Sequence, residues 1–154
     1  MEQGSKYILI QLKDEEYGVH VQQVRSIERL QDITKVPRTA DFIKGIINLR
    51  GEVIPIIDLK ERLNIGKTDN TDQTRCLIVP VHRIQVGFVV DSATDVIDID
   101  DAEIDTVSEF IGHKYFTGIA KLEDRLLVLL NLEQILNLEE INELKEFTKQ
   151  NQYI

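Results

Sequence analysis

Residues Gly45 to Leu63 read Gly-Ile-Ile-Asn-Leu-Arg-Gly-Glu-Val-Ile-Pro-Ile-Ile-Asp-Leu-Lys-Glu-Arg-Leu. Two β-branched runs, Ile46-Ile47 and Val53 to Ile57, flank Asn48 to Glu52, where Gly51 can take the positive φ of a tight reversal. The stretch therefore predicts a hairpin. Pro55 lacks an N–H and is expected to confine the second strand to an edge or a bulge. Asp58 and Glu61 have the spacing of a helix start, with Leu59 and Leu63 on one face of it.

The plan recurs without a gap at Gly118 to Leu136. Gly45 aligns with Gly118, Leu49 with Leu122, Asp58 with Asn131, Leu59 with Leu132 and Leu63 with Leu136. A weaker echo relates Tyr17-Gly18-Val19-His20-Val21 to Val86-Gly87-Phe88-Val89-Val90, again a strand centred on glycine. Two echoes in the same order point to an internal duplication.

At 154 residues and 42% hydrophobic, the chain suffices for one domain or for two small lobes sharing a core. Its net charge of −9 weighs against a nucleic-acid backbone or an anionic membrane surface as partner. Aromatic residues are too few, at 6% with no Trp, for a base-stacking platform. Cys76 is the single cysteine, so no disulfide framework can form, and its apolar setting predicts a buried, reduced thiol. No apolar run approaches the ~20 residues of a membrane span and Met1 to Ser5 has no basic n-region, so a soluble, cytoplasmic protein is expected.

Lys6 to Leu12 and Glu16 to Val21 read as strands around a polar turn. Val21, Val24, Ile27 and Leu30 recur every three residues, which predicts a short helix. Lys67 to Thr74 is polar and aperiodic and reads as the loop joining the halves. Cys76 to Val81 and Ile84 to Asp91 form a hairpin around His82-Arg83, Asp95 to Ile99 a shorter strand, and Asp100 to Ile104 a turn. Asn137 and Glu140 can cap a terminal helix carrying Leu138, Ile141 and Leu144. About five strands per half suit two small barrels packed together, and sequence leaves open whether each barrel is one contiguous half.

No reactive constellation emerges. His20, His82 and His113 are scattered and lack metal-ligand spacing. Asp95, Asp98, Asp100 and Asp101 lack the turn glycine of a calcium loop, and Asn48-Leu49-Arg50-Gly51 lacks the glycines and lysine of a phosphate loop. No enzyme activity, metal or cofactor is expected. A small ligand-binding β-barrel, the rival of a different class, would need convergent polar groups that the sequence does not offer.

Phe42 to Gly51, followed by Val53 to Leu59 and by Gly87 to Val96, resembles the signature of the CheW family of bacterial chemotaxis coupling proteins, and the resemblance covers nearly the whole chain. It implies a mostly β fold of two small five-stranded SH3-like barrels with a few short helices and a C-terminal helix. The expected layout is a single CheW-like domain over about 6–147, with pseudo-repeated lobes near 6–64 and 75–136, strands possibly exchanged, and a helix over about 137–150.

The implied function is a non-enzymatic adaptor linking the cytoplasmic tips of chemoreceptors to the histidine kinase CheA, monomeric when free and recruited to receptor arrays. Another CheW-like adaptor or an isolated kinase regulatory domain would share these partners. Positions matching the receptor-binding groove are Val24, Gly45, Arg50, Gly87, Ala93 and Val96. Glu109 and Phe110 match the segment that meets the kinase's regulatory domain. Taken singly, the apolar members are ordinary core residues and Arg50 an ordinary turn residue; their joint match singles them out. One departure stands out. Many family members read Val-x-Glu-Ile where this chain reads Val24-Arg25-Ser26-Ile27, so a carboxylate that could pair with Arg50 is missing at position 26. On a helix, Glu28 could replace it only if the helix were turned differently.

Overall fold

The computed structural model describes residues 4–37, 39–106 and 114–151. Its framework is two sheets made of eleven strands. These are β1 (Gly4–Leu12), β2 (Glu15–His20), β3 (Ser26–Arg29), β4 (Ile43–Leu49), β5 (Glu52–Asp58), β6 (Arg75–Val81), β7 (Ile84–Val90), β8 (Ser92–Asp100), β9 (Ile104–Asp105), β10 (Phe116–Lys121) and β11 (Leu126–Leu130). A short helix α1 (Leu59–Arg62) follows β5, and α2 (Leu138–Asn151) ends the described chain. Both starts are capped by side chains that take up free helical N–H groups. Asp58 accepts from the Lys60 amide, and Asn137 and Glu140 accept from each other's amides at 2.8 Å.

One sheet has the order β8-β1-β2-β11-β10-β9 and the other β3-β6-β7-β5-β4. The sheets are not contiguous halves of the chain. The hairpin β1–β2 lies with β8–β11, and the hairpin β6–β7 lies with β3–β5. The exchange is reciprocal and its registers match. β2 runs parallel to β11 with Gly18 opposite Leu129, and β7 runs parallel to β5 with Gly87 opposite Ile56.

Each copy of the repeated stretch carries a bulge at its glycine, between Ile43 and Gly45 and between Phe116 and Gly118. Both glycines serve close backbone approach. A Cβ on Gly45 would stand 2.1 Å from the Thr34 carbonyl oxygen, and one on Gly118 would stand 2.8 Å from that of Asp105. Gly45 also needs its φ of +139°, which an L side chain rarely adopts.

Apolar side chains form three clusters. The largest, with Ile10, Leu12, Ile57, Leu77, Phe88 and Leu130, takes residues from both sheets, α2 and the turns, and so joins the lobes. A second, with Ile47, Ile54, Ile56, Cys76, Ile78 and Val89, belongs to the five-stranded sheet, and a third, with Leu9, Ile99, Ala120, Leu127 and Leu129, to the six-stranded one. Alternate residues of β7 face the first two clusters in turn, so this strand is covered on both sides.

Three local expectations change. The helix expected from Val21 to Leu30 is a single 3-10 turn, Val21–Gln23, followed by the strand β3. Its three-residue apolar spacing arises from a turn joined to a strand, a combination that imitates helical periodicity. The shorter strand expected over 95–99 runs from Ser92 to Asp100, because its polar outer residues face solvent while β1 pairs with its backbone. Pro55 lies on an internal strand rather than an edge; its missing N–H is tolerated because the ladder to β7 begins one residue later, at Ile56.

Candidate functional site

The first hairpin turns in two residues, Arg50 at φ 51° and Gly51 at φ 88°. That double left-handed geometry favours Asn and Gly, so an arginine there is unusual on conformational grounds. The Asn48 side chain braces the turn by accepting from the Gly51 amide at 2.8 Å. Arg50 projects with 72% of its side chain exposed, and its Nη2 donates to Glu28 Oε2 at 3.1 Å. Arg25 pairs in the opposite sense with Glu52 at 3.3 Å. These ion pairs link β3, at one edge of the five-stranded sheet, to the β4–β5 tip.

The strand geometry of β3 supplies the carboxylate that position 26 lacks. Ser26 and Glu28 are two apart on a strand and share one face, opposite Ile78 and Cys76. The Ser26 hydroxyl and the Arg50 guanidinium both bond Glu28 and hold its carboxyl below the usual range. Cys76 beneath is fully buried, and burial, reinforced by the charge of Glu28, pushes its thiol up to about 12. It is a core residue, not a nucleophile.

The other expected groove residues fall into two kinds. Gly45 and Gly87 are interior; a Cβ on Gly87 would come within 2.6 Å of Cys76 Sγ and Ile56 Cδ1. They shape the sheet that presents Arg50. Val24 closes the 3-10 turn and, like Ala93 on β8, is half-buried against the shared core. Val96 is 48% exposed on β8, the outer strand of the six-stranded sheet.

The duplication brings in a residue that the sequence reading placed on one face of a short helix. Ile27 on β3 lies opposite Leu77 just as Val96 on β8 lies opposite Ile8, and Ile27 is 41% exposed. Both stand on outer strands, in equivalent places, on the side of the shared core. The signal was present in the alternation of Ser26 and Glu28 with Ile27 and Arg29, which the helical spacing masked. Glu109 and Phe110 lie outside the described residues.

A cavity of about 720 Å³ is lined by Arg62, His82, Lys114 and Glu133 together with residues of α2, with no cysteine, serine or threonine among its lining. Among the described residues no cluster of His, Cys, Asp or Glu could hold a metal ion, and no helix is long and apolar enough to cross a membrane.

The CheW-like domain family matches residues 6–140. The chain belongs to the CheW family. It is 39% identical over 135 residues to the chemotaxis protein CheW of Bacillus subtilis, covering 86% of each chain. It is also 33% identical over 135 residues to CheW of Klebsiella aerogenes, covering 86% of this chain and 81% of that one. The crystal structure of the scaffolding protein TtCheW from Thermoanaerobacter tengcongensis superposes with a TM-score of 0.80 at 33% identity, over 91% of this chain and 92% of that one. A CheW-family chain with an exposed cation on its strained turn and exposed aliphatic residues on its outer strands is equipped as an adaptor.

Proposed function

We propose that this chemotaxis adaptor binds the helical-hairpin tip of a chemoreceptor and the regulatory domain of the kinase CheA at separate surfaces, without chemistry of its own. The observation that carries the receptor reading is Arg50, held outward on a left-handed turn by Glu28. Arg50 offers a charge-assisted bond to a carboxylate or backbone oxygen, while Val24, Ile27, Ala93 and Val96 offer the apolar contact area that an amphipathic helix needs. Gly45 and Gly87 fix the backbone behind them. Glu109 and Phe110 form the kinase contact, with Phe110 as its apolar anchor.

Each sheet curls into a small SH3-like barrel, one of them built on five strands and the other on five with the two-residue β9 added. The bridging pairs between β3 and the β4–β5 tip support this reading. The free protein is a cytoplasmic monomer whose recruitment to receptor arrays follows from its two partners. Mixing the purified chain with a receptor-tip fragment and the kinase regulatory domain should give a ternary complex on a sizing column. A chain that binds neither partner contradicts the adaptor reading.

A further inference from the structure

The duplication makes the two parallel seams of the molecule equivalent, yet a helix covers only one of them. At the first seam β5 lies beside β7, and α2 packs against β5, setting Ile141 and Leu144 into the cluster that holds Ile57. At the second β11 lies beside β2, and among the described residues no helix is packed on β11 in this way.

The aligned copies match Val53, Pro55 and Ile57 with Leu126, Val128 and Leu130. Alternation puts each trio on one face of its strand, the face that Ile57 and Leu130 turn to the shared core. On β11 that face is the less covered one. Leu126 is 67% exposed where Val53 is half-buried, and Val128 is half-buried where Pro55 is buried. The neighbouring strands differ in the same sense. Val86 is fully buried on β7, whereas its counterpart Tyr17, opposite Val128, is half-buried on β2. Ile65 extends this apolar strip: it packs on the same core and lines, with Leu12 and Tyr17, an open hollow of about 470 Å³.

Both turns that lead into the second seam are acidic. Asp14 and Glu15 stand at the β1–β2 turn, and Glu123 and Asp124 at the β10–β11 tip. Because β2 and β11 run parallel, the two turns lie at the same end of the strip. Of the two cations there, Lys13 and Arg125, the second is tied to Glu16. At the first seam the signs are the other way round, since α2 brings a carboxylate, Glu140, to the cation Arg62 at 3.1 Å.

We infer that the β2–β11 seam is a docking surface for an amphipathic helix of a partner, with lysine or arginine along its polar edge, set on Leu126, Tyr17 and Ile65 as α2 is set on β5. The helix on the equivalent seam argues for a helical occupant, and the acidic turns for a basic one. A second copy of the chain matches poorly, because its α2 carries Glu139, Glu140, Glu143 and Glu146 and the whole chain a net charge of −9. The inference does not depend on the receptor reading. β2 and β11 are interior to the six-stranded sheet, whereas Val96 stands on its outer strand β8 and Arg50 on the other sheet.

The test uses the full chain and a synthetic helical peptide of about 18 residues, with leucines along one face and lysines along its edges. A second peptide carries glutamates in place of the lysines. Binding is followed by fluorescence anisotropy at about 0.15 M salt, and the oligomeric state of the chain by sedimentation. The lysine peptide should bind, and the glutamate peptide at least about tenfold more weakly. Leu126→Ser should weaken the lysine peptide about fivefold or more while the unfolding midpoint stays nearly unchanged, since this side chain is already largely in solvent. Leu138→Ser, at the similarly exposed leucine that begins α2, should bind as the native chain does. No binding of the lysine peptide, equal binding of both peptides, or an equal loss from both variants overturns the inference. A native dimer that Leu126→Ser dissolves would overturn it too, because a second copy would then be the occupant.

Discussion

The two copies of the repeated stretch agree wherever folding requires it. The Asp58 amide donates to the Phe42 carbonyl and the Asn131 amide to the Tyr115 carbonyl, both at 2.8 Å. Each Asx side chain then caps the following turn. The copies part at the hairpin tip. The first reverses in two residues with Arg50 in the left-handed region and largely exposed. The second also reverses over two residues, Glu123-Asp124 between the bonded Leu122 and Arg125, but neither takes a positive φ; Glu123 stands where Arg50 does, and Arg125 is tied to Glu16 at 3.2 Å. A left-handed cation is not peculiar to this tip, since Lys13 and Arg83 also take positive φ at the β1–β2 and β6–β7 turns; what sets Arg50 apart is its 72% exposure and its bond to Glu28. The duplication thus separates the scaffold, which both copies keep, from the hairpin tip, where they differ and where the proposed receptor contact lies.

The largest test of this equivalence is at the bulge glycines. Gly45→Ala combines a severe backbone clash with a forbidden φ and should destabilise by about 4 kcal/mol or more in denaturant unfolding. Gly118→Ala meets backbone at a longer distance and should cost about half as much. Equal losses would mean that the positive φ of Gly45 contributes nothing. Next come the interior glycines, whose neighbours are side-chain ends. Gly87→Ala should cost about 3 kcal/mol and Gly18→Ala, facing Leu129 at 2.8 Å and Leu127 at 3.0 Å, somewhat less.

Smaller effects are expected at the links between the repeats. Asp91 pairs with the nearly buried Lys60 at 3.0 Å and accepts from the Lys13 amide at 2.6 Å, so Asp91→Ala strands a cation and should cost about 2 kcal/mol. Gln23→Ala removes neutral bonds only and should cost about 1 kcal/mol. The reverse order in thermal unfolding would show that the repeats are tied mainly through Gln23.

Much of this architecture was legible in the sequence. Gly45 to Leu63 announced its hairpin through β-branched runs and Gly51, and the echo at Gly118 to Leu136 announced the duplication. The exchange of hairpins was not legible, because β2 beside β11 and β7 beside β5 are parallel, long-range pairings that leave no local pattern. At the site, Arg50 could be singled out by its resemblance, but its partner could not be assigned. Whether Glu28 faces Arg50 depends on a strand at Ser26–Arg29, and apolar residues every third position there looked helical.

The pair itself should give the smallest effect on stability. Because the Glu28 carboxyl is held below its ordinary range in the folded chain, its contribution is complete above about pH 4.5 and fades as pH falls through the folded value. Its partner is well exposed, so the amount is under about 1 kcal/mol. Glu28→Gln should flatten that part of the acid-unfolding profile, and an unchanged profile would show that the bond is not held in solution.

The most direct measurement compares the two tips against the same receptor fragment. Arg50→Glu and Arg125→Glu reverse one exposed cation each, and both should leave the unfolding midpoint nearly unchanged. Loss of a charge-assisted bond costs roughly 1.5–3 kcal/mol, so Arg50→Glu should weaken receptor-tip binding at least about tenfold while kinase binding persists. Arg125→Glu should bind receptor as the native chain does. Equal affinity of the native chain and Arg50→Glu, or an equal loss from both variants, would contradict the assignment of the receptor contact to the first tip.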